Sequence, residues 1–228
     1  MYSVIKKRSL LIGASGLIGG KILKILNAQN ENIILFSRRS IKLESNNIKE
    51  YLVDFNNLEK IKDVPQIDHV YISLGTRLEV SELLYIKKKD RKEFSRVDLD
   101  LVLNSAKTAF SLGARSIAIV SAIGANSLSK NLYLKTKGIL EEEIKKIGYE
   151  KVVIAQPGHL LGARPEEKLR IEITIMEFIA KILEPLMIGP IKPFRSIEAT
   201  NVADSMVRSI QDGVNGVFTL RFDDFNKD

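Results

Sequence analysis

The chain has 228 residues, 45% of them hydrophobic, which suits a full core in one α/β unit with at most a small C-terminal lobe. It has no cysteine and only two histidines, which excludes disulfides, thiolate catalysis and cysteine-ligated metal centres; no metal is expected. No apolar run reaches the length of a membrane span and no secretory-type leader is visible. These features give the expectation of a cytoplasmic protein without a membrane span, and the net charge of +7 raises the question of a nucleic-acid partner.

The first strand is Ser9 to Ile12, followed by a glycine-rich turn and a helix whose apolar residues Leu17, Ile18, Ile22, Leu23, Ile25 and Leu26 fall at helical spacing. Strands follow at Asn32–Ser37, Ile48–Val53, Val70–Leu74, Ser116–Ser121, Lys151–Ala155 and Gly216–Leu220. Between them, helices are predicted over Ser95–Leu112 with Gly113 as C-cap, over Leu132–Ile147 ended by Gly148, and over Asn201–Ile210. The cluster Lys87, Lys88, Lys89, Arg91 and Lys92 alternates with Asp90 and Glu93 and lacks a nucleic-acid motif. It reads as a solvated helix face, and no nucleic acid is expected.

Uniformly apolar strands alternating with helices predict an α/β fold: a Rossmann-like, doubly wound parallel sheet with helices on both faces. Its ligand crevice lies at the carboxyl ends of the strands, where Gly13, Ser37, Asp54, Gly75, Ser121 and Pro157 fall. One domain over residues 1–228 is expected, with 161–199 as a substrate-side insertion that holds a helix from Glu166 to Leu183.

The turn Gly13-Ala14-Ser15-Gly16-Leu17-Ile18-Gly19 suits a pyrophosphate at a helix N-terminus, where free N–H groups and the helix dipole favour an anion. A side chain at Gly13 or Gly16 would hold phosphates off the backbone, and one at Gly19 would push the helix off the strand. A P-loop is excluded, because Ile22 stands where a magnesium-binding Ser or Thr is required. The second strand ends in Ser37-Arg38-Arg39 where sheets that bind NADH carry a carboxylate. Serine and paired guanidiniums would hold a 2′-phosphate, which predicts NADP(H). Asp54 is placed to accept from the adenine amino group, with Phe55 beside the ring.

Tyr133 and Lys137 are four apart on a predicted helix and project from one face. A lysine ammonium one turn from a phenol, together with the cationic oxidised nicotinamide, would favour the phenolate that proton transfer at a carbinol oxygen requires. Ser121, at the end of the fifth strand, would hold the substrate oxygen, and Lys137 would also grip the nicotinamide ribose.

Together the segments G-A-S-G-L-I-G-G, Leu74-Gly75-Thr76, Val97-Asp98, V-S-A-I-G-A-N, Y-L-K-T-K-G and Q-P-G-H-L-L-G-A-R resemble the short-chain dehydrogenase/reductase superfamily. The last three resemble its atypical branch of Tat-interacting-protein-like oxidoreductases. The resemblance implies catalytic roles for Ser121, Tyr133 and Lys137, riboses bordered by Gly75 and Thr76, and a nicotinamide lined by Pro157 and Gly158. Three positions depart from the family pattern: Asp98 for an asparagine that supports a proton relay, Ala122 for a second serine or threonine, and Gln156 for an arginine.

The expected activity is NADPH-dependent hydride transfer to or from a small carbonyl or alcohol, by a monomer or homodimer. An NADPH-binding regulatory protein with little turnover is the alternative, and a nucleotide-sugar epimerase or dehydratase the third. His69 and His159 read as structural or surface residues. Arg164 and Arg170 are candidates to receive an anionic substrate group, with solvent-facing ion pairs as the default.

Overall fold

The computed structural model describes residues 7–41, 45–78, 80–162, 189 and 195–226. Seven strands form one parallel sheet: β1 (Arg8–Ile12), β2 (Asn32–Ser37), β3 (Ile48–Leu52), β4 (His69–Ile72), β5 (Ser116–Val120), β6 (Lys151–Ala155) and β9 (Gly216–Leu220). Their order is β3-β2-β1-β4-β5-β6-β9. The chain therefore reverses direction across the sheet between β1 and β4, the switch point at which a crevice opens. Ile12 pairs with both Phe36 and Ile72, Ile72 with Ile119, and Ile119 with Ile154. This common register brings all the carboxyl ends to one edge.

Alternation across the pleat divides the strands' apolar residues between two cores. Leu10, Ile12, Ile34, Phe36, Val70, Ile72, Ile117 and Ile119 face α4 (Leu101–Ser111) and α5 (Leu132–Lys146). Leu11, Ile33, Leu35, Tyr71, Ala118 and Val153 face α1 (Leu17–Ala28) and α6 (Ala199–Gln211). Burial on both faces is why the central strands read as unbroken hydrophobic runs rather than as alternating ones.

The helix expected from Ser95 starts earlier and is not uniform. It begins as α3 (Arg91–Ser95), widens to a π-helical turn over Arg96–Asp100 and continues as α4. A short α2 (Val80–Leu84) precedes it, and the pair β7 (Leu160–Leu161) and β8 (Ile197–Glu198) lies outside the main sheet. Lys87, Lys88 and Lys89 are exposed, but in the turns before α3, which corrects their assignment to a helix face. The helix expected over Glu166–Leu183 lies outside the described residues, as do Arg164 and Arg170.

Candidate functional site

The glycine turn joins β1 to α1. Gly13 takes φ +91, and a Cβ there would sit 2.8 Å from the Ser73 carbonyl oxygen; one at Gly19 would sit 2.1 Å from the Gly13 carbonyl oxygen. Both glycines are thus required by the close approach of β1, α1 and the end of β4. At Gly13 this is a constraint additional to the expected approach of phosphates. Gly16 is the N-cap of α1 and supplies no side-chain hydrogen bond, so no capping side chain occupies the first-turn N–H groups. Ala14 is buried and Ser15 exposed; Leu17 is half-buried and Ile18 lies in the core. Ser73, overlooked in the sequence, locks the turn by donating from its hydroxyl to the carbonyls of Ile12 and Gly13 at 3.3 and 3.2 Å.

At the end of β2, the Ser37 hydroxyl is buried and, among the described residues, lacks a hydrogen-bond partner. Arg38 and Arg39 follow it, exposed. Asp54, at the end of β3, is also exposed; hydrogen bonds from the Asn56 backbone and then from the Asn57 and Asn56 side chains hold its carboxyl below the usual range. Phe55 departs from expectation. Its ring is 4% exposed and packs in the core with Leu58 and Ile67, so it is spent on packing and not available beside an adenine.

The turn after β4 meets the helical pair of charges. Lys137 Nζ lies 2.9 Å from Asp98 Oδ1 with both side chains buried, and Asp98 Oδ2 accepts from the Thr76 N–H at 2.7 Å. A Cβ on Gly75 would fall 3.3 Å from Asp98 Oδ1, so the turn rests on this pair. Leu74 packs against the core beneath it. Asp98 projects from the π-helical turn, a distortion that recurs at functional sites. The departure noted in the sequence thus has a role of its own: a carboxylate can neutralise the buried lysine, which an asparagine cannot.

Tyr133 packs against Phe94 with ring centroids 6.1 Å apart. Burial holds its phenol above the ordinary tyrosine value; Lys137 pulls it down and Asp98 pushes it up. In the protein by itself, desolvation thus outweighs the lysine, and Asp98 opposes it.

Ser121 is buried, and its hydroxyl donates to the Glu141 carboxylate. Gln156 Nε2 donates to the same carboxylate at 2.9 and 3.1 Å, and Arg221 Nε donates to Gln156 Oε1 at 3.2 Å. Ser121 thus commits its hydroxyl hydrogen to Glu141, a partner the expectation of a substrate-holding serine did not include. Glu141 went unnoticed in the sequence, although it lies one turn beyond Lys137 on the same helix face. Pro157 is buried and Gly158 half-buried at the end of β6, where the Pro157 carbonyl accepts from the Ile123 N–H at 3.0 Å. His159 is exposed; His69 is buried, and burial lowers its pKa.

A doubly wound parallel sheet with a glycine turn at its switch point defines a Rossmann-like protein. Among solved structures, ElxO with NADP bound shares this fold, with a TM-score of 0.70 over 94% of this chain and 97% of that one at 18% identity. Protein HTATIP2 of Rattus norvegicus is 31% identical over 173 residues, 73% of this chain and 68% of that protein. The chain belongs to its family, the atypical short-chain dehydrogenase/reductases of the Tat-interacting-protein-like branch. Protein FMP52, mitochondrial, of Candida albicans is 29% identical over 211 residues, 91% of this chain and 90% of that one. No family model matches the chain.

These relatives overturn the expectation of a cytoplasmic protein, since the FMP52 proteins of several yeasts are named mitochondrial. Mitochondrial transit segments are amphipathic and basic, without an apolar core for hydropathy to find. Among the described residues, no helix is long and apolar enough to cross a membrane.

Proposed function

We propose that the protein is an NADP(H)-dependent oxidoreductase that moves hydride between a nicotinamide and a small carbonyl or alcohol, with Tyr133 as acid/base. The observation that carries this reading is the contact between α5 and the turn after β4. There Lys137, one turn from Tyr133, is fixed by Asp98 against Gly75 and Thr76, at the same sheet edge as the glycine turn. We take the whole chain as one domain, with 161–199 on the substrate side.

The residues present fit a dinucleotide. The first turn of α1 offers backbone N–H groups without a capping side chain, and Ser37 offers a buried hydroxyl that lacks a partner among the described residues. Gly13 through Gly19 would hold the pyrophosphate. Ser37, Arg38 and Arg39 would hold a 2′-phosphate, and Asp54 the adenine amino group. Leu74, Gly75 and Thr76 would border the riboses, with Pro157 and Gly158 lining the far end. When bound, a nicotinamide dinucleotide supplies or takes up the hydride. In reduction the carbonyl carbon gains that hydride while its oxygen takes the Tyr133 proton, giving the alcohol. A phenol held above its ordinary pKa is protonated at neutral pH, the state that can donate to a carbonyl oxygen. Ser121 reaches a substrate oxygen only by leaving Glu141, so we give it the lesser share.

Tyr133→Phe tests the assignment. Oxidation of NADPH with a carbonyl panel is expected to fall at least ~100-fold while NADPH affinity is kept. Unchanged turnover would reject Tyr133 as the acid. Ser121→Ala is expected to lose less than Tyr133→Phe. A second reading, a cofactor-binding regulatory protein with little turnover, is favoured by the engagement of Ser121 with Glu141. It predicts NADPH binding with no oxidation by any member of the panel, in wild type and variant alike.

A further inference from the structure

Tyr133 lines a hollow of about 520 Å3, walled on one side by α2 and the residues after it and on the other by residues 128–135. This volume falls within the range of small-molecule sites. Among the described residues, seven large apolar side chains stand exposed. Four of them, Leu83, Leu84, Tyr85 and Leu128, border this one hollow, at 37%, 77%, 58% and 88% exposure. Scattered apolar residues need no explanation, but convergence of most of them on one concavity beside the half-buried Tyr133 points to a ligand-facing wall.

The two walls are braced against each other. The Asn131 side-chain amide donates to the carbonyls of Leu83 and Leu84 at 2.8 and 3.1 Å, and its carbonyl caps α5 by accepting from the Leu134 N–H at 3.0 Å. Arg91 Nε donates to the Ile86 carbonyl at 3.0 Å, and its guanidinium lies over the Tyr85 ring at 5.2 Å. The apolar wall therefore has a defined position relative to Tyr133. Among the described residues, its charged members are Arg91, Lys130 and Lys135 against the carboxylate of Glu82, a positive excess.

We infer that this hollow binds an amphipathic organic anion, a carbonyl compound or its alcohol whose apolar body bears a carboxylate. The apolar body lies against Leu84, Tyr85 and Leu128, and the carboxylate meets Lys130 and Lys135. The inference rests on the oxidoreductase reading, because Tyr133 is what places the reacting oxygen at one end of the hollow. A hydroxyl-rich ligand such as a sugar would leave its polar groups against leucine, at the cost of their hydrogen bonds with water.

Calorimetric titration of the full chain with decanoate, and separately with 1-decanol, tests the site without cofactor. Saturable decanoate binding is expected, at least ten-fold tighter than decanol. It should weaken at least ten-fold in Leu128→Asp and in the double variant Lys130→Glu/Lys135→Glu, all exposed positions, with NADPH affinity unchanged in both. Equal affinity for decanoate and decanol, or binding that both variants leave within two-fold, overturns the inference. So does sedimentation with phosphatidylglycerol vesicles in the absence of saturable decanoate binding, which would make the surface a lipid-docking face. Failure of the cofactor reading shows separately, as wild-type protein that does not bind NADPH.

Discussion

At Lys137 Nζ, 2.9 Å from Asp98 Oδ1, two opposite charges are buried together beneath the Gly75–Thr76 turn. Removing one partner of such a pair costs far more than the pair contributes, because the other charge stays desolvated. Asp98→Ala is therefore expected to lower stability by about 3 kcal/mol in urea unfolding. Asp98→Asn keeps an acceptor for the Thr76 N–H and should lose less; equal losses in the two variants would deny the hydrogen bond any weight. Three tyrosines set the alkaline limit. Burial raises the phenol pKa of Tyr71, Tyr133 and Tyr149, and Tyr149 also donates to the Ala106 carbonyl at 2.6 Å. A folded-state pKa above the unfolded value contributes stability that is whole below the unfolded pKa of about 10 and is lost as pH rises through the folded one. Denaturant midpoints should hold from neutral pH to about 9.5 and fall above 10, with a shallower fall in Tyr149→Phe. A flat profile above 10 would contradict this. Tyr71→Phe removes a buried hydroxyl with no hydrogen-bond partner among the described residues, and is expected to be neutral or slightly stabilising.

Helix α5 carries Tyr133, Lys137 and Glu141, and its position relative to the sheet edge decides whether they serve one site. A close backbone approach helps to set that position. A Cβ on Gly138 would lie 2.2 Å from the Ser127 nitrogen and 2.3 Å from the Asn126 carbonyl carbon, both backbone atoms that cannot give way cheaply. Gly138→Ala is accordingly expected to push α5 from the 126–127 loop. It should destabilise the fold by roughly 1–3 kcal/mol, although alanine is the better helix former; a stabilised variant would reject the argument. The opposite helix was less legible. Apolar spacing gives a helix near Ser95–Leu112, but nothing in that spacing reveals the π-helical turn over Arg96–Asp100. A wider turn changes which residues share a face, and Asp98 comes to meet Lys137 as a result. The short α2 was missed as well. Five residues are too few for a period to declare itself, and α2 is held in place by the Asn131 amide at its end.

Across the whole molecule, the parallel order β3-β2-β1-β4-β5-β6-β9 gathers strand ends far apart in sequence onto one edge. A ligand that spans this edge binds only the folded state, so NADPH at about 100 times its dissociation constant should add about 2.7 kcal/mol of stability. Thermal unfolding with NADPH and with NADH reads this directly. The double variant Arg38→Ala/Arg39→Ala is expected to reduce the shift from NADPH and leave that from NADH unchanged. Equal shifts from both cofactors in wild type would remove the 2′-phosphate assignment.

The strands and the parallel sheet were legible because burial on both faces writes each strand as a continuous apolar run, and β2, β6 and β9 fall at the bounds their composition marks. The glycine turn was legible too, since backbone approaching backbone tolerates only glycine. Partner choice was not. Sequence places Lys137 one turn from Tyr133 as a charge that lowers the phenol pKa, whereas packing adds desolvation and the Asp98 charge, which both raise it. It places Ser121 at a strand end, but only the fold brings Glu141 and Gln156 against that hydroxyl. Periodicity and turn chemistry are local properties, carried by neighbours along the chain. The charge, burial and hydrogen bonds that tune a site come from residues that meet only when the sheet and its helices have packed.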